Sequence, residues 1–210
     1  MKILLTGFEP FGNQTINPSQ LVVEQLAQEE IEGVSLITAV LPVDRFQGPD
    51  ALIRAFIRAQ PDAVVCLGEA GGRTAIAIER VAINLLDFNI PDNSGVQLHD
   101  EPVRPDGDIA FFSTLPIREI ETALKEAAIP AALSLSAGTF LCNQIFYTIM
   151  HYLHKYKLNK PAGFVHLPQL PEQVVAERPL RPSMSLDMMC QGVTLILQTI
   201  ANHPTVTVHT

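Results

Sequence analysis

The sequence predicts an α/β fold of three layers, in which a twisted, mostly parallel central sheet lies between helices. Short apolar runs alternate along the chain with longer segments of helical periodicity, an order typical of parallel sheets. One run, residues 62–67 (DAVVCL), is apolar almost throughout, as expected for a strand covered on both faces. The chain has 210 residues, without repeats or a linker-like segment, so we expect one domain over residues 1–210.

Local signals justify the elements in chain order. Residues 2–6 are apolar and end at Gly7, which predicts a first strand. Asn17 and Pro18 form a helix start, as cap and first helical residue, and this helix is expected to reach residue 30. Residues 75–88 alternate and predict a long strand or a hairpin. The same reasoning predicts further strands at 34–40, 62–67, 131–137 and 162–166, and further helices at 46–60, 116–128, 139–156 and 183–201.

Composition excludes several classes of protein. Apolar residues make up 47% of the chain, which argues against intrinsic disorder. The net charge of −8 argues against a nucleic-acid partner. The first residues lack the long apolar stretch of a signal peptide, and no run of about 18 apolar residues predicts a transmembrane helix. We therefore expect a cytoplasmic protein without a membrane partner.

Cys142 is the candidate nucleophile among the three cysteines. It follows a predicted strand and a turn, and it lies in the first turn of the helix predicted at 139–156. Free backbone N–H groups and the positive end of the helix dipole are expected to lower the pKa of its thiol and to hold an oxyanion. Cys66, in an apolar strand, and Cys190, in an amphipathic helix, are expected to be inert buried thiols.

His166 is the candidate base among the six histidines. It ends an apolar strand, so it is expected at the carboxyl edge of the sheet, where α/β proteins bind their ligands. It is alternatively a core histidine bonded to backbone. Glu79 shares an apolar strand face with Val81 and Ile83, where an unpaired carboxylate is costly. It either orients His166 or forms a structural pair with Arg73.

The other histidines give weaker signals. His151 and His154 lie three residues apart on one predicted helix, but no third ligand follows at a recognisable spacing, so no metal site is predicted. His99 falls in a polar loop. His203 and His209, near the C-terminus, are expected to be solvated.

Two glycine-containing loops, residues 7–12 and 68–73, follow predicted strands. Neither has the pattern of a phosphate-binding or dinucleotide-binding loop, so no cofactor is predicted. Phe8 and Phe11, in the first loop, either form walls of a small apolar pocket or pack onto the core.

Seven stretches, in order over nearly the whole chain, match the motifs of one family. They are LLTGFEPFG (4–12), NPS (17–19), GEAGGRTAIAIERVAINL (68–85), IPDNSG (90–95), FFSTLPI (111–117), IPAALSLSAGTFLCNQIFY (129–147) and GFVHLPQLPEQ (163–173). Together they resemble pyrrolidone carboxyl peptidase, also called pyroglutamyl peptidase I, a family of cysteine peptidases.

The resemblance implies a catalytic role for three residues: Cys142 as nucleophile, His166 as base and Glu79 as the acid that orients it. It implies hydrolysis of the N-terminal pyroglutamyl residue of peptides through a thioester, with neither metal nor cofactor, by a homotetramer. It also implies an apolar pocket for the neutral ring, in which the backbone of Phe11 binds the lactam. The residues implied to form or flank that pocket are Phe8, Phe11, Glu69, Ile90, Phe140 and Leu141.

Two positions depart from the family pattern. Glu69 stands where members usually have Gln, and its carboxylate is expected to raise the pKa of Cys142 or to disfavour acidic substrates. Asn89 stands where members often have Arg, which reduces activity if that arginine binds the substrate or the oxyanion. Two alternative functions follow: a cysteine amidase acting on another small amide, and a catalytically impaired homologue that only binds peptides.

Overall fold

The computed structural model describes residues 1–203 and is built around a six-stranded sheet. The strands are β1 (Lys2–Phe8), β2 (Ser35–Leu41), β3 (Ala63–Glu69), β4 (Ile76–Glu79), β5 (Val81–Ile83), β6 (Ala110–Phe112), β7 (Ala131–Ser134) and β8 (Ala162–Leu167). The helices are α1 (Pro18–Leu26), α2 (Gln47–Ala59), α3 (Ile117–Glu126), α4 (Leu141–Lys155), α5 (Pro171–Val174) and α6 (Leu186–Asn202). Within residues 1–203, no helix combines the length and the hydropathy needed to cross a bilayer.

The order of the main sheet is β2-β1-β3-β8-β4-β7. All neighbouring strands run parallel except β4 and β8, which are antiparallel. This topology confirms the predicted α/β class with a mostly parallel central sheet.

Each face of the sheet buries its own apolar core, which produces the three layers. Helices α1, α3 and α6 pack with strand residues such as Ile3 and Leu5 on one face. Helices α2 and α4 pack with Leu4 and Val64 on the other. Adjacent residues of a strand point to opposite faces, so runs covered on both sides read as continuously apolar sequence.

The start of α1 follows the predicted capping chemistry. The Asn17 side chain accepts a hydrogen bond from the Ser19 N–H (2.9 Å), and Pro18 occupies the first helical position. The Ser19 hydroxyl in turn accepts from the Phe8 N–H (2.9 Å). Gly7 permits this close approach, because a Cβ there would lie 2.3 Å from the Ser19 carbonyl oxygen. The helix ends at Leu26, one turn earlier than predicted.

The segment predicted as one strand or hairpin at 75–88 is divided between two sheets, so that prediction is wrong in part. Arg80 leaves the main sheet: its N–H donates to the Ser134 carbonyl (2.8 Å), and its carbonyl accepts from Ser113. Strand β5 then pairs antiparallel with β6 in a separate two-stranded sheet. Glu79 therefore does not share a strand face with Val81 and Ile83.

Candidate active site

The carboxyl ends of β1, β3 and β8 meet at one edge of the sheet, as predicted. In the β3–β8 register, Gly68 lies opposite His166. A pocket of about 160 Å³ opens at this edge. Its lining residues, which come from strand ends and from the start of α4, are Phe8, Phe11, Asn17, Val43, Glu69, Ala137, Phe140, Leu141, Cys142 and His166.

His166 is hydrogen-bonded to Glu79 inside the protein. Its Nδ1 lies 2.8 Å from Glu79 Oε1, and the two residues are 5% and 0% exposed. The register explains the contact: Ala77 lies opposite His166, and Glu79 follows two residues later on the same strand face. Because a carboxylate only accepts hydrogen bonds, Nδ1 carries the proton, and Nε2 is left as the acceptor.

Arg73 also approaches Glu79, at a longer distance. Its guanidinium lies 3.5 Å from Glu79 Oε1 and donates to the Ser134 hydroxyl at 3.3 Å. Both partners considered for Glu79 are therefore present, and the shorter contact is the one to His166.

Cys142 is the second residue of α4, in the first helical turn as predicted. The first backbone hydrogen bond of α4 runs from the Gln144 N–H to the Phe140 carbonyl (3.1 Å), and no side chain caps this end. The N–H groups of the three residues before Gln144 therefore lie ahead of the helical ladder. A Cβ on Gly68 would be 2.8 Å from the Cys142 sulfur, so this sulfur lies directly over β3, beside the strand of His166.

The surroundings of Cys142 raise the pKa of its thiol overall, because the lowering by backbone N–H at the helix start is present but is outweighed. Burial has the largest effect, because it disfavours the thiolate, and the Glu79 and Glu69 carboxylates add repulsion. Burial also raises the pKa of Cys66 to about 12 and that of Cys190 to about 11. Both are buried free thiols, as predicted.

Glu69 lies in the pocket with its carboxylate held by two glutamines. Gln169 donates to Oε1 at 3.2 Å, and Gln173 donates to Oε2 at 2.9 Å. Burial raises the pKa of Glu69, and these two hydrogen bonds together with Arg181 oppose that rise. Glu69 stands where family members usually have Gln, and its carboxylate was expected to raise the pKa of Cys142. The structure agrees, because repulsion by Glu69 contributes to the raised pKa of that thiol.

Aromatic rings form the apolar side of the pocket. The Phe140 ring lies 6.2 Å from that of Phe11 and packs edge-on against Phe88 at 4.7 Å between centroids. Ile90 is absent from the lining; its side chain is 42% exposed and points towards Gly12. Of the six residues implied to form or flank the pocket, five are brought together.

Three lining residues were not predicted as part of the site. Asn17 was recognised only as a helix cap, and its amide is occupied: the oxygen accepts from Ser19, and the nitrogen donates to the Glu9 carbonyl (3.0 Å). Val43 and Ala137 follow the ends of β2 and β7. Their apolar side chains give no sequence signal that separates a pocket wall from the core.

The remaining histidines lie apart from this pocket. His99 bonds to Asp87 (2.9 Å) in an exposed loop, and His203 follows the end of α6. His209 lies outside the described residues. In the part of the chain that the structure describes, no group of three or more His, Cys, Asp or Glu side chains is arranged to hold a metal ion.

Known proteins match this chain over nearly its whole length, in sequence and in fold. A family model described as pyroglutamyl peptidase matches residues 1–203. The pyrrolidone-carboxylate peptidase of Vibrio parahaemolyticus is 47% identical over 202 residues, which cover 96% of this chain and 93% of that protein. The crystal structure of Bacillus amyloliquefaciens pyroglutamyl peptidase I superposes with a TM-score of 0.92 at 39% identity, covering 96% of this chain and 97% of that chain. On this evidence, the chain belongs to the pyroglutamyl peptidase family, the cysteine peptidases that remove N-terminal pyroglutamate.

Proposed function

We propose that this protein is an active pyroglutamyl peptidase that hydrolyses the bond after an N-terminal pyroglutamyl residue. The observation that carries the proposal is the buried 2.8 Å hydrogen bond between His166 and Glu79, next to the glycine over which the Cys142 sulfur lies. A base with a fixed tautomer beside a thiol at a helix N-terminus is the arrangement that nucleophilic acyl transfer requires. The proposed chemistry uses only groups of this chain.

Acylation begins when the neighbouring imidazole deprotonates the Cys142 thiol. His166 Nε2 takes the thiol proton as the sulfur attacks the carbonyl carbon that links pyroglutamate to the next residue. The backbone N–H groups at the start of α4 stabilise the oxyanion. The C–N bond then breaks, His166 returns the proton to the leaving amine, and a pyroglutamyl thioester of Cys142 remains.

Deacylation repeats these steps with water as the nucleophile. His166 takes a proton from the water as its oxygen attacks the thioester carbon. The C–S bond breaks, and the proton returns from the imidazolium to the sulfur, which releases pyroglutamate and restores the free thiol. Throughout, Glu79 holds Nδ1–H and stabilises the transient imidazolium charge.

The pocket selects a small uncharged ring. Phe8, Phe11, Phe140 and Leu141 provide apolar contacts, and an N-terminal glutamate would bring an ammonium and a carboxylate into that environment at a large desolvation cost. The Phe11 carbonyl already accepts from the Gln14 N–H (3.2 Å), and its second lone pair remains for the lactam N–H.

Ile90 is proposed to extend the apolar wall at the outer rim, because it lies against Gly12, the residue after Phe11. Asn89, its neighbour in the same exposed loop, supplies no cation where other family members often carry arginine. We therefore propose that the oxyanion of this protein relies on the backbone N–H groups of α4.

The test is release of aminomethylcoumarin from its pyroglutamyl amide. We expect turnover that Cys142→Ser lowers by at least about 10³-fold, because serine is a far weaker nucleophile at this site. We expect Cys190→Ser, the matched control, to change it by less than about twofold. Absence of turnover by the unmodified protein refutes the proposal: cleavage of a different small amide then indicates the amidase alternative, and peptide binding alone indicates an impaired homologue.

We also propose that residues 1–210 act as one peptidase domain and that the protein works in the cytoplasm as a homotetramer. The location is supported by the chemistry, because a catalytic thiol must stay reduced. The assembly is supported by the family resemblance, and light scattering of the purified protein measures it directly.

A further inference from the structure

A second and larger cleft lies over the outer side of α4, and neither Cys142 nor His166 lines it. Its volume is about 980 Å³. Gln144, Thr148 and His151 form its floor, one helical turn apart along α4. The start of α2 and the loop at residues 103–108 form its walls. The family chemistry described above leaves this cleft without a role.

Three buried polar atoms in this cleft have no hydrogen-bond partner among the described residues. They are Arg45 Nε, Gln144 Oε1 and His151 Nδ1. Gln144 is only 5% exposed, and its amide nitrogen already donates to the Arg45 carbonyl (2.8 Å). Buried polar groups are nearly always paired, so three unpaired ones from three side chains around one cleft point to an absent partner.

In the described part of the chain, the cations of the cleft have no carboxylate partner, and two of them, Arg45 and Lys155, lie over the rings of Phe46 and Tyr156. Arg45, Arg104 and Lys155 line the cleft, and within residues 1–203 none lies within ion-pair distance of a carboxylate. Burial, Arg104 and Lys155 lower the pKa of His151, in that order, which disfavours its protonated form.

The carboxylates of the cleft are fewer than its cations once ion pairs are counted. Asp50 forms an ion pair with Arg54, which leaves Asp106 and Asp108 against the three unpaired cations. The unpaired charge of the cleft is therefore positive in a chain whose net charge is −8.

We propose that this cleft binds the C-terminal end of a peptide or an N-acylated amino acid. The carboxylate pairs with Arg45 and Arg104, and the adjacent amide N–H donates to Gln144 Oε1. Tyr152 and Tyr156, whose rings lie 4.6 Å apart, contact an apolar side chain. An inorganic anion satisfies only the cations, since it offers neither an amide donor for Gln144 nor an apolar group for the tyrosines.

The test is calorimetric titration of the full-length protein with N-acetylphenylalanine, which carries the carboxylate, the amide N–H and an aromatic side chain. N-acetylphenylalanine amide is the matched ligand without the charge. We expect the acid to bind at least about tenfold more tightly than the amide, because a charge-assisted hydrogen bond to arginine is lost.

Arg104→Gln is the variant of choice, since only the backbone of Arg104 takes part in the hydrogen bonds with Asn84. We expect it to weaken binding of the acid about tenfold while turnover of the pyroglutamyl amide changes by less than twofold. Arg118→Gln, on α3, removes an equivalent charge elsewhere and is expected to leave binding unchanged. The proposal is overturned if neither ligand binds, if acid and amide bind equally, or if Arg104→Gln binds as tightly as the unmodified protein. These outcomes leave the proposed peptidase activity untouched.

Discussion

His166 and His151 are two imidazoles of one protein in opposite electrostatic surroundings. His166 donates from Nδ1 to a buried carboxylate, Glu79, at 2.8 Å. His151 has a buried Nδ1 without a partner among residues 1–203, and the cations Arg104 and Lys155 add to the lowering of its pKa by burial. The first ring has its tautomer fixed by a carboxylate, whereas the surroundings of the second disfavour protonation.

This difference supports the proposal that the smaller of the two cavities carries the chemistry. A base must accept a proton during the reaction, so it needs a neighbour that stabilises the imidazolium. His166 has that neighbour in Glu79, and a nucleophile lies beside it. The surroundings of His151 oppose protonation, so its cleft suits a ligand that brings its own charge.

The largest expected effect comes from Glu79→Gln, which removes the charge that distinguishes His166 from His151. An amide no longer enforces Nδ1–H or stabilises the imidazolium, so we expect kcat to fall by roughly 10² to 10⁴-fold, in the range that loss of the carboxylate produces in serine-protease triads. The fall in kcat is measured by steady-state hydrolysis of the pyroglutamyl amide at a series of pH values. Arg73→Gln, which removes the more distant neighbour of Glu79, is expected to lower kcat by less than about tenfold. A kcat of Glu79→Gln within tenfold of the original would show that the pairing is structural.

A smaller effect is expected from Gly68→Ala, which alters the geometry of the catalytic pocket and leaves its charge unchanged. The new Cβ would lie 2.8 Å from the Cys142 sulfur and 2.8 Å from Phe164 Cζ, so we expect the sulfur to shift from its position beside His166. A displacement of this size lowers kcat about 10²-fold. The rate of Cys142 alkylation by iodoacetamide reports the local change, and circular dichroism checks the fold. If kcat and the alkylation rate both match the original protein, Gly68 has no positioning role.

Sequence alone predicted most residues of the proposed catalytic pocket through the ends of strands. Cys142 and His166 were recognisable because parallel strands place their carboxyl ends at one edge of the sheet, and Glu79 because an unpaired buried carboxylate is costly. The break at Arg80 was missed, because periodicity two continues through it although the chain changes sheets. The strand β6 and the helix α5 span only three and four residues, too few to establish a period.

The dominant effect of burial on the pKa of Cys142 and the α4 cleft were beyond prediction for a different reason, although a contribution from Glu69 was expected. Helix position alone indicates a lowered thiol pKa, but the depth of burial and the approach of Glu69 and Glu79 depend on packing of distant segments. The cleft joins Arg45, Arg104 and Gln144, which are separated by roughly 40 to 60 residues and share no local motif. Such sites follow from tertiary structure alone.

The smallest effect is expected from Glu69→Gln, which removes a charge from the catalytic pocket while the amide oxygen still accepts from Gln169 or Gln173. Loss of the repulsion lowers the pKa of Cys142, so we expect iodoacetamide alkylation to rise at lower pH and kcat/KM at pH 7 to increase by about two- to fivefold. Glu172→Gln, on the exposed side of α5, is the matched control and is expected to change neither quantity.

Stability gives an independent readout of the same substitution. Burial raises the pKa of Glu69 above the ordinary value of 4.5, so the folded protein binds a proton more readily than the unfolded chain does. The free energy of unfolding therefore falls as pH rises through the interval between the unfolded and folded pKa values. Glu69→Gln removes this fall, so urea denaturation at pH 4 and pH 7 should show the variant gaining stability relative to the original protein as pH rises. The contrary outcome is an unchanged alkylation profile together with a loss of stability at pH 7. It would mean that the Glu69 carboxylate is a structural partner of the two glutamines and does not raise the pKa of Cys142.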